Sequence, residues 1–408
     1  MRKALGVSRR TAGVESFRVM DVLKAATELE QEGRKVYHLE VGQPKTGAPP
    51  SAVRAAREAL QKNLPMGYTE ANGILSLRTR IAQWYAQKHG AAVDPSRIVV
   101  TTGSSSGFLL AFAANWSAGD AVAVPSTAYP CYRNVLRALE CDAVEIKAKD
   151  STFGFPTVDD VSELVDGRKV RGLAPVKGLV LSSPANPTGA TLTKAELAQL
   201  AKACRDFGIR FVSDEIYHHV TYERAASSAV DLDGVVVVNS FSKFFSMTGW
   251  RVGWLCLPQD EPDLADAVTR LHQNFAICAP NVSQIAAEHS FDDADTELTG
   301  HVAKYARNRQ VLLDGLQIEL GLDLSADVAP ANGAFYVYAD LHRFGVSDSP
   351  AFCRRLLQDT GIAITPGSDF EFDPALGARR VRFSYCGMDH DEIGRAIGIL
   401  GDWFRKTA

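Results

Sequence analysis

Seven short runs of apolar, largely β-branched residues recur through the middle of this chain: "RIVVT" (97–101), "DAVAVP" (120–125), "DAVEI" (142–146), "KGLVLS" (177–182), "IRFVS" (209–213), "GVVVVNS" (234–240) and "VGWLCL" (252–257). Several show no polar alternation, which marks strands covered on both faces. Segments with helical spacing lie between them, such as "TKAELAQLAKACRDFG". Strands alternating with helices over this length predict an α/β fold with a mostly parallel central sheet under helices.

The two ends read differently. "VMDVLKAATELEQEG" predicts a helix ending at Gly33, followed by a short strand in "VYHLEV". From about residue 290 a long helical stretch leads into "AFYVYADL", a helix at 349–360, "GIAITP", "RRVRFSY" and a closing helix, the pattern of a smaller α+β domain. The expected division is a large domain over 45–290 and a small domain made of 1–44 and 291–408. A net charge of −4 argues against a nucleic-acid partner. No apolar run approaches the roughly 18 residues of a membrane span. The start, "MRKALGVSRRTAG", is basic but lacks the apolar core of a signal peptide, so a cytoplasmic location is expected. The seven cysteines are scattered without a C-x-x-C, which suits reduced, mostly core thiols.

Four motifs carry chemistry. In "VVTTGSSSGFLLAFAA" (99–114) a strand turns through glycine and serines into a helix, whose free N–H groups suit a phosphate near Ser104 and Ser105. The same letters match G-x-S-x-G over Gly103, Ser105 and Gly107, the nucleophile elbow of α/β-hydrolases. A serine-rich helix cap without a ligand is the third reading, and this motif alone leaves all three open. In "LSSPANPTGA" (181–190) the Asn186 amide falls in a turn after a strand, at the sheet edge where α/β folds bind ligands. In "FVSDEIYHHV" (211–220) Asp214 ends a buried-looking strand and requires a partner, for which a protonated aromatic nitrogen would serve. Tyr217 can add a phenolic hydrogen bond. Asp214, Glu215, His218 and His219 also permit a metal reading, but no second ligand motif accompanies them. In "SFSKFFSMTGWRVGW" (240–254) Lys243 is either a surface lysine beside two phenylalanines or a desolvated nucleophile of the kind that captures the aldehyde of pyridoxal phosphate. Arg251 suits a phosphate dianion, and Ser240 and Ser242 can donate to the same oxygens. Together the motifs describe one ligand with a phosphate, an aldehyde and a ring nitrogen.

In their order and spacing, "S-x-S-K…G-x-R-x-G", "NPTG" and "D-E-x-Y" resemble the class I/II aminotransferases of pyridoxal-phosphate fold type I, from "LEVGQP" to "RRVRFSY". The resemblance implies that Lys243 is the Schiff-base lysine and Asp214 the partner of the pyridine nitrogen. It implies that Asn186 and Tyr217 bond the ring's 3-oxygen. Ser104, Ser105, Ser240, Ser242 and Arg251 would form the phosphate cradle, and Tyr129 would stack on the ring. Tyr68, in "MGYTEANGILSLR", matches a tyrosine that reaches the partner subunit's phosphate, which implies a homodimer with shared sites. Arg382 matches the arginine that binds the substrate α-carboxylate, and Gly42 a glycine whose backbone lies near the substrate. The turn reads Gly-Ser-Ser-Ser where many members have Gly-Ala, which adds hydroxyl donors.

The implied activity is ping-pong transamination between an L-amino acid and a 2-oxo acid, with a lean on family analogy toward aspartate or a broad aromatic range. A β-lyase of the same fold is the nearest alternative. A hydrolase using Ser105 would need Asp214 with His289 or His301, and leaves Lys243, Arg251, Asn186 and Arg382 unexplained.

Overall fold

A computed structural model describes residues 6–148, 153–223 and 225–407. Its strands are β1 (Tyr37–His38), β2 (Ile98–Thr101), β3 (Ala121–Pro125), β4 (Asp142–Ile146), β5 (Val176–Ser182), β6 (Arg210–Asp214), β7 (Val235–Ser240), β8 (Gly253–Cys256), β9 (Tyr336–Asp340), β10 (Ile362–Ala363), β11 (Thr365–Pro366) and β12 (Arg380–Ser384). All seven apolar runs become strands of a single sheet, in the order β2-β8-β7-β6-β5-β3-β4. In the inner strands the unbroken apolar character follows from burial on both faces, while the edge strand β4, partly exposed, carries Asp142 and Glu145. In β7, Val235 and Val237 join one hydrophobic cluster while Val236 and Val238 join another. That is the alternation a strand imposes when both faces are covered.

The pairs β3–β4, β3–β5, β5–β6 and β6–β7 are parallel. Strand β8 is the exception, antiparallel to both β2 and β7. Between β7 and β8 the chain makes only a single turn of 3-10 helix, Thr248–Trp250, so no crossover helix carries it back to the other edge. The helix Gly103–Asn115 covers one face with Phe108, Leu110 and Phe112, and Lys194–Asp206 covers the other with Leu197 and Leu200. The latter helix starts at a capping box in which Thr193 and Glu196 bond each other's backbone N–H.

A second, antiparallel sheet runs β11-β12-β9, and β1 pairs in parallel with β10. The helix Arg18–Gln31 packs Ala26 and Leu29 against Val36, Leu357 and Ala363, so the N-terminal helix does pack with the C-terminal part. All seven cysteines are free, and only Cys131 and Cys278 are partly exposed. No helix among the described residues is long and apolar enough to cross a membrane.

Candidate active site

The parallel strands end at one edge, and the chemistry gathers there. Thr101 of β2 and Ser240 of β7 both pair with Gly253, so the loops after β2 and β7 meet at the start of β8. Gly103 turns the chain into its helix at a φ of +72°, and a side chain there would lie 2.3 Å from Arg251 Nη2. Only glycine allows both that φ and that approach. Arg251 itself adopts a left-handed conformation, φ 55°, and is braced by donation from Nη1 to the Thr248 carbonyl at 2.8 Å. A guanidinium lies over the amino end of a 13-residue helix whose first turn carries Ser104 and Ser105. That is a cradle for a phosphate.

Asp214, the last residue of β6, is buried. Its carboxylate accepts from the Tyr132 hydroxyl and from the Ile216 N–H, the latter at 3.0 Å. Burial pushes its pKa up to about 6 against those hydrogen bonds and the Lys243 charge. Lys243 Nζ donates to the Gly42 carbonyl at 2.7 Å. Burial brings its pKa down to about 8; Cys386 opposes this, while Arg382 and Arg251 add to it. Asn186 Oδ1 accepts from Arg382 Nη1 at 2.9 Å, and Arg382 Nη2 donates to the Glu40 carbonyl at 2.6 Å. The Arg382 guanidinium lies 4.3 Å over the Tyr336 ring and 4.8 Å over Phe370. Tyr217 and Tyr336 share a hydroxyl–hydroxyl hydrogen bond of 2.7 Å.

Gly42, Ser104, Ser105, Tyr129, Asn186, Asp214, Tyr217, Ser242, Lys243, Arg251 and Arg382 all line one cavity of about 210 Å3. Two expected residues do not. Ser240 sits behind the wall, with its Oγ 2.8 Å from Ser242 Oγ and 3.1 Å from the Val252 carbonyl, because alternation at the strand end turns it inward. Tyr68 is 82% exposed and outside the cavity, so within a single chain it has nothing to bind.

The sequence reading missed Tyr132, Tyr336 and the segment Phe17–Met20. Tyr132 lies in the first turn of the helix Cys131–Ala138, edge-on to Tyr129 at 5.7 Å, and its closeness in sequence to Tyr129 could have flagged it. Phe17, Val19 and Met20 form an apolar wall of the cavity, with Phe17 edge-on to Tyr129 at 5.8 Å. Among the described residues no histidine lines the cavity, so the Ser–acid–His arrangement of a hydrolase is not assembled around Ser105. Glu215 turns away from Asp214 to accept from Ser228 Oγ and Ala229 N–H, each at 2.7 Å.

A family model described as aminotransferase class I and II matches residues 34–400. The chain belongs to the class I and II aminotransferases. This aminotransferase is similar to the valine–pyruvate aminotransferase of Mycobacterium tuberculosis, 46% identical over 396 residues, spanning 96% of this chain and 97% of that protein. It is 31% identical to the aspartate/prephenate aminotransferase of Thermus thermophilus over 404 residues, 97% of this chain and 99% of the other. Its structure resembles a crystal structure of an aminotransferase from M. tuberculosis with a TM-score of 0.90 at 46% identity, covering 99% of this chain and 100% of that one. It resembles T. thermophilus aspartate aminotransferase with maleate at a TM-score of 0.87 and 29% identity, covering 98% and 100%. The aminotransferase has the aspartate-aminotransferase-like fold type I, an α/β architecture with a mixed central sheet, and it is a transaminase.

Proposed function

We propose that this aminotransferase works with pyridoxal 5'-phosphate bound at Lys243 and moves the amino group of a neutral, apolar L-amino acid to a 2-oxo acid by a ping-pong cycle. The observation that carries this reading is the convergence in one cavity of a buried lysine amine, a helix-end cradle under Arg251 and a buried carboxylate. Each matches one part of the cofactor: Ser104, Ser105, Ser242 and Arg251 would hold its phosphate, Asp214 its ring nitrogen, Asn186 and Tyr217 its ring oxygen, and Tyr129 its ring face. When bound, the cofactor supplies an aldehyde that amines capture and a cationic ring that takes up an electron pair.

The chain's own groups do the rest. Arg382 holds the substrate α-carboxylate by its planar fork and so fixes which substrate bond faces Lys243. Lys243, freed as an amine, would take the proton from the substrate Cα and, as the acid, give it to the carbon that carried the cofactor's aldehyde. Its pKa of about 8 keeps the proton on neither side too firmly near neutral pH. Asp214 is costly to ionise alone in its buried place and gains a cationic partner from the protonated ring nitrogen. Phe17, Phe108 and Tyr129 help keep water from the pocket.

The cavity wall of Phe17, Val19, Met20, Val41 and Ile216 supports an apolar substrate side chain rather than aspartate. Its three cations, Lys243, Arg251 and Arg382, are already engaged, and a second substrate carboxylate would lie unpaired at a cost of several kcal/mol. The name of the valine–pyruvate relative points the same way. The test is a half-reaction screen in which the holoenzyme is mixed with valine, alanine, aspartate or tyrosine and the visible cofactor band is followed. Valine is expected to deplete the band at least about tenfold faster than aspartate at equal concentration. A faster reaction with aspartate would overturn the substrate reading, and an unchanged band with every amino acid would overturn the cofactor reading.

We also infer a homodimer in which Tyr68 reaches the partner's phosphate cradle. Leu64, Met66, Tyr68, Phe275 and Ile277 are exposed, and the Thr69 N–H contact with Cys278 Sγ at 3.5 Å holds the two segments side by side. That is an apolar surface suited to an interface. Sedimentation should give a dimer at assay concentrations. The Tyr68→Phe variant should remain dimeric yet bind the cofactor roughly tenfold more weakly, the size of one charge-assisted hydrogen bond. A fully active monomer, or unchanged cofactor affinity in the variant, would refute it.

A further inference from the structure

Behind the substrate clamp stands a line of three side chains that the chemistry above does not use. In "HLEVGQP" (38–44) the chain leaves β1, and the side chains of His38 and Glu40, two residues apart, meet. His38 Nδ1 lies 2.8 Å from Glu40 Oε1, and His38 Nε2 lies 3.1 Å from Glu30 Oε1 on the helix Arg18–Gln31. Glu40 is wholly buried, His38 18% exposed and Glu30 about half exposed. The second oxygen of Glu40, Oε2, is buried with no hydrogen-bond partner among the described residues. A buried carboxylate bonded through one oxygen needs a charged partner to offset its desolvation. A neutral imidazole donates from one nitrogen only, so bonding to both carboxylates requires the imidazolium.

The main chain of the same segment holds the reaction's two cations. The Glu40 carbonyl accepts from Arg382 Nη2 at 2.6 Å and from Thr365 Oγ1 at 2.9 Å. The Gly42 carbonyl accepts from Lys243 Nζ at 2.7 Å. Leu39, between His38 and Glu40, is pinned on both sides, its N–H donating to the Ala363 carbonyl at 2.9 Å and its carbonyl accepting from Ser384 N–H at 2.6 Å. With the chain fixed just before it, a change in how the Glu40 side chain is held acts first on Glu40 itself, the residue whose carbonyl aims Arg382.

We propose that His38, bridging Glu30 and Glu40 as an imidazolium, is a positioning residue that sets the Glu40–Gly42 main chain and through it Arg382, so that the substrate carboxylate is held more tightly by the protonated form than by the neutral one. The charged groups acting on His38 are Glu40 on its own segment and Glu30 on the helix; the paired strand β10, Ile362–Ala363, and the closing helix His390–Thr407, which also packs against β1, bring none. The Glu40 hydrogen bond, opposed by burial, raises the His38 pKa above its ordinary 6.5, and Glu30 adds to the rise. A raised pKa means the contribution is complete below about 6.5 and is lost as pH climbs through the higher folded value. Carboxylate affinity should follow the same limb.

The inference rests on Arg382 as the carboxylate clamp, and its test separates the two. Isovalerate, an unreactive apolar monocarboxylate, is titrated calorimetrically into the holoenzyme between pH 6 and 9. The wild type should lose roughly tenfold in affinity across that range, a coupling of ordinary size. His38→Gln should bind about tenfold more weakly at pH 6 and lack the His38 limb, while the limb due to Lys243 persists in both. With an amino-acid substrate, His38→Gln should raise KM and leave kcat within about twofold. Wild-type affinity and pH profile in His38→Gln, alongside lost binding in Arg382→Lys, would overturn the relay alone. Unchanged binding in Arg382→Lys would overturn the clamp beneath it. Should the histidine variant not fold, NMR titration of His38 in the wild type decides: its pKa should lie above 6.5 and rise further with isovalerate bound, and a value at or below 6.5 overturns the proposal.

Discussion

Replacing Lys243 with alanine is expected to slow transamination by about four orders of magnitude or more and to leave the protein folded. The loss is large because in the proposed cycle one nitrogen would both hold the cofactor and move the substrate proton, and among the described residues no other amine lines the cavity. Arg251 and Arg382 are the remaining cations there, and a guanidinium does not give up its proton near neutral pH. The fold should tolerate the change. Lys243 makes one hydrogen bond, to the Gly42 carbonyl at 2.7 Å, and lies about 6 Å from the Tyr217 and Phe335 ring centres. Losing that bond costs roughly 1 kcal/mol. In compensation, the variant no longer buries an amine whose pKa burial has pulled to about 8. A lysine with a lowered folded pKa destabilises most where it is charged, below that value, and less as pH rises through it. The thermal midpoint of the cofactor-free variant should therefore match or exceed that of the wild type at pH 6, with the difference shrinking toward pH 10. Turnover within tenfold of the wild type, with the midpoint unchanged, would remove Lys243 from the reaction.

The features legible in the sequence are those that burial enforces locally. A strand covered on both faces must be apolar at every position, so "GVVVVNS" declared itself without reference to its neighbours. The same rule hid the direction of β8: "VGWLCL" satisfies double-sided burial equally well parallel or antiparallel, and only its pairing with β2 and β7 reveals which. Lys243, Asp214 and Arg251 stood out because ionisable groups beside apolar strands are expensive and demand a purpose. Tyr336 gave no such signal. A tyrosine in "AFYVYADL" reads as an ordinary strand residue, and its place against Arg382 arises from the pairing of β9 with β12. Phe17, Val19 and Met20 likewise reach the cavity through contacts distant in sequence: Asp369 accepts the Val19 N–H at 3.3 Å, and Phe17 lies edge-on to Tyr129. The ambiguity of Gly103–Ser105 was real in sequence terms. It is resolved by a distant residue, Arg251, whose guanidinium occupies the space beside Gly103.

Substitution of Arg382 by lysine should lower kcat/KM by about a hundredfold to a thousandfold, mostly through KM, although the charge is kept. The reason lies in how the guanidinium is held. Its Nη1 donates to Asn186 Oδ1 at 2.9 Å, and its Nη2 donates to the Glu40 carbonyl at 2.6 Å and Thr365 Oγ1 at 3.2 Å. Thr365 stands directly opposite Arg382 in the β11–β12 ladder, so the strand register presets these partners. The plane is further fixed between Tyr336 and Phe370, a stacking that an ammonium cannot reproduce. Buried Nε has no partner of its own among the described residues. An N–H left over in a buried, otherwise satisfied guanidinium is costly unless a ligand completes it, and a carboxylate is the ligand that matches the fork. Lysine at 382 would put a single point charge in the pocket and leave Asn186, Glu40 and Thr365 with groups unpaired. Stability should fall as well, by about 1–3 kcal/mol, the cost of buried polar groups losing their partner. The decisive comparison is between two ligands of the same cavity. Cofactor affinity, which the proposal assigns to residues such as Arg251 and Asp214, should change less than threefold in Arg382→Lys, while isovalerate affinity drops by two orders of magnitude or more. Equal losses for both would mean that the substitution had collapsed the site, and that Arg382 does not act on the substrate carboxylate alone.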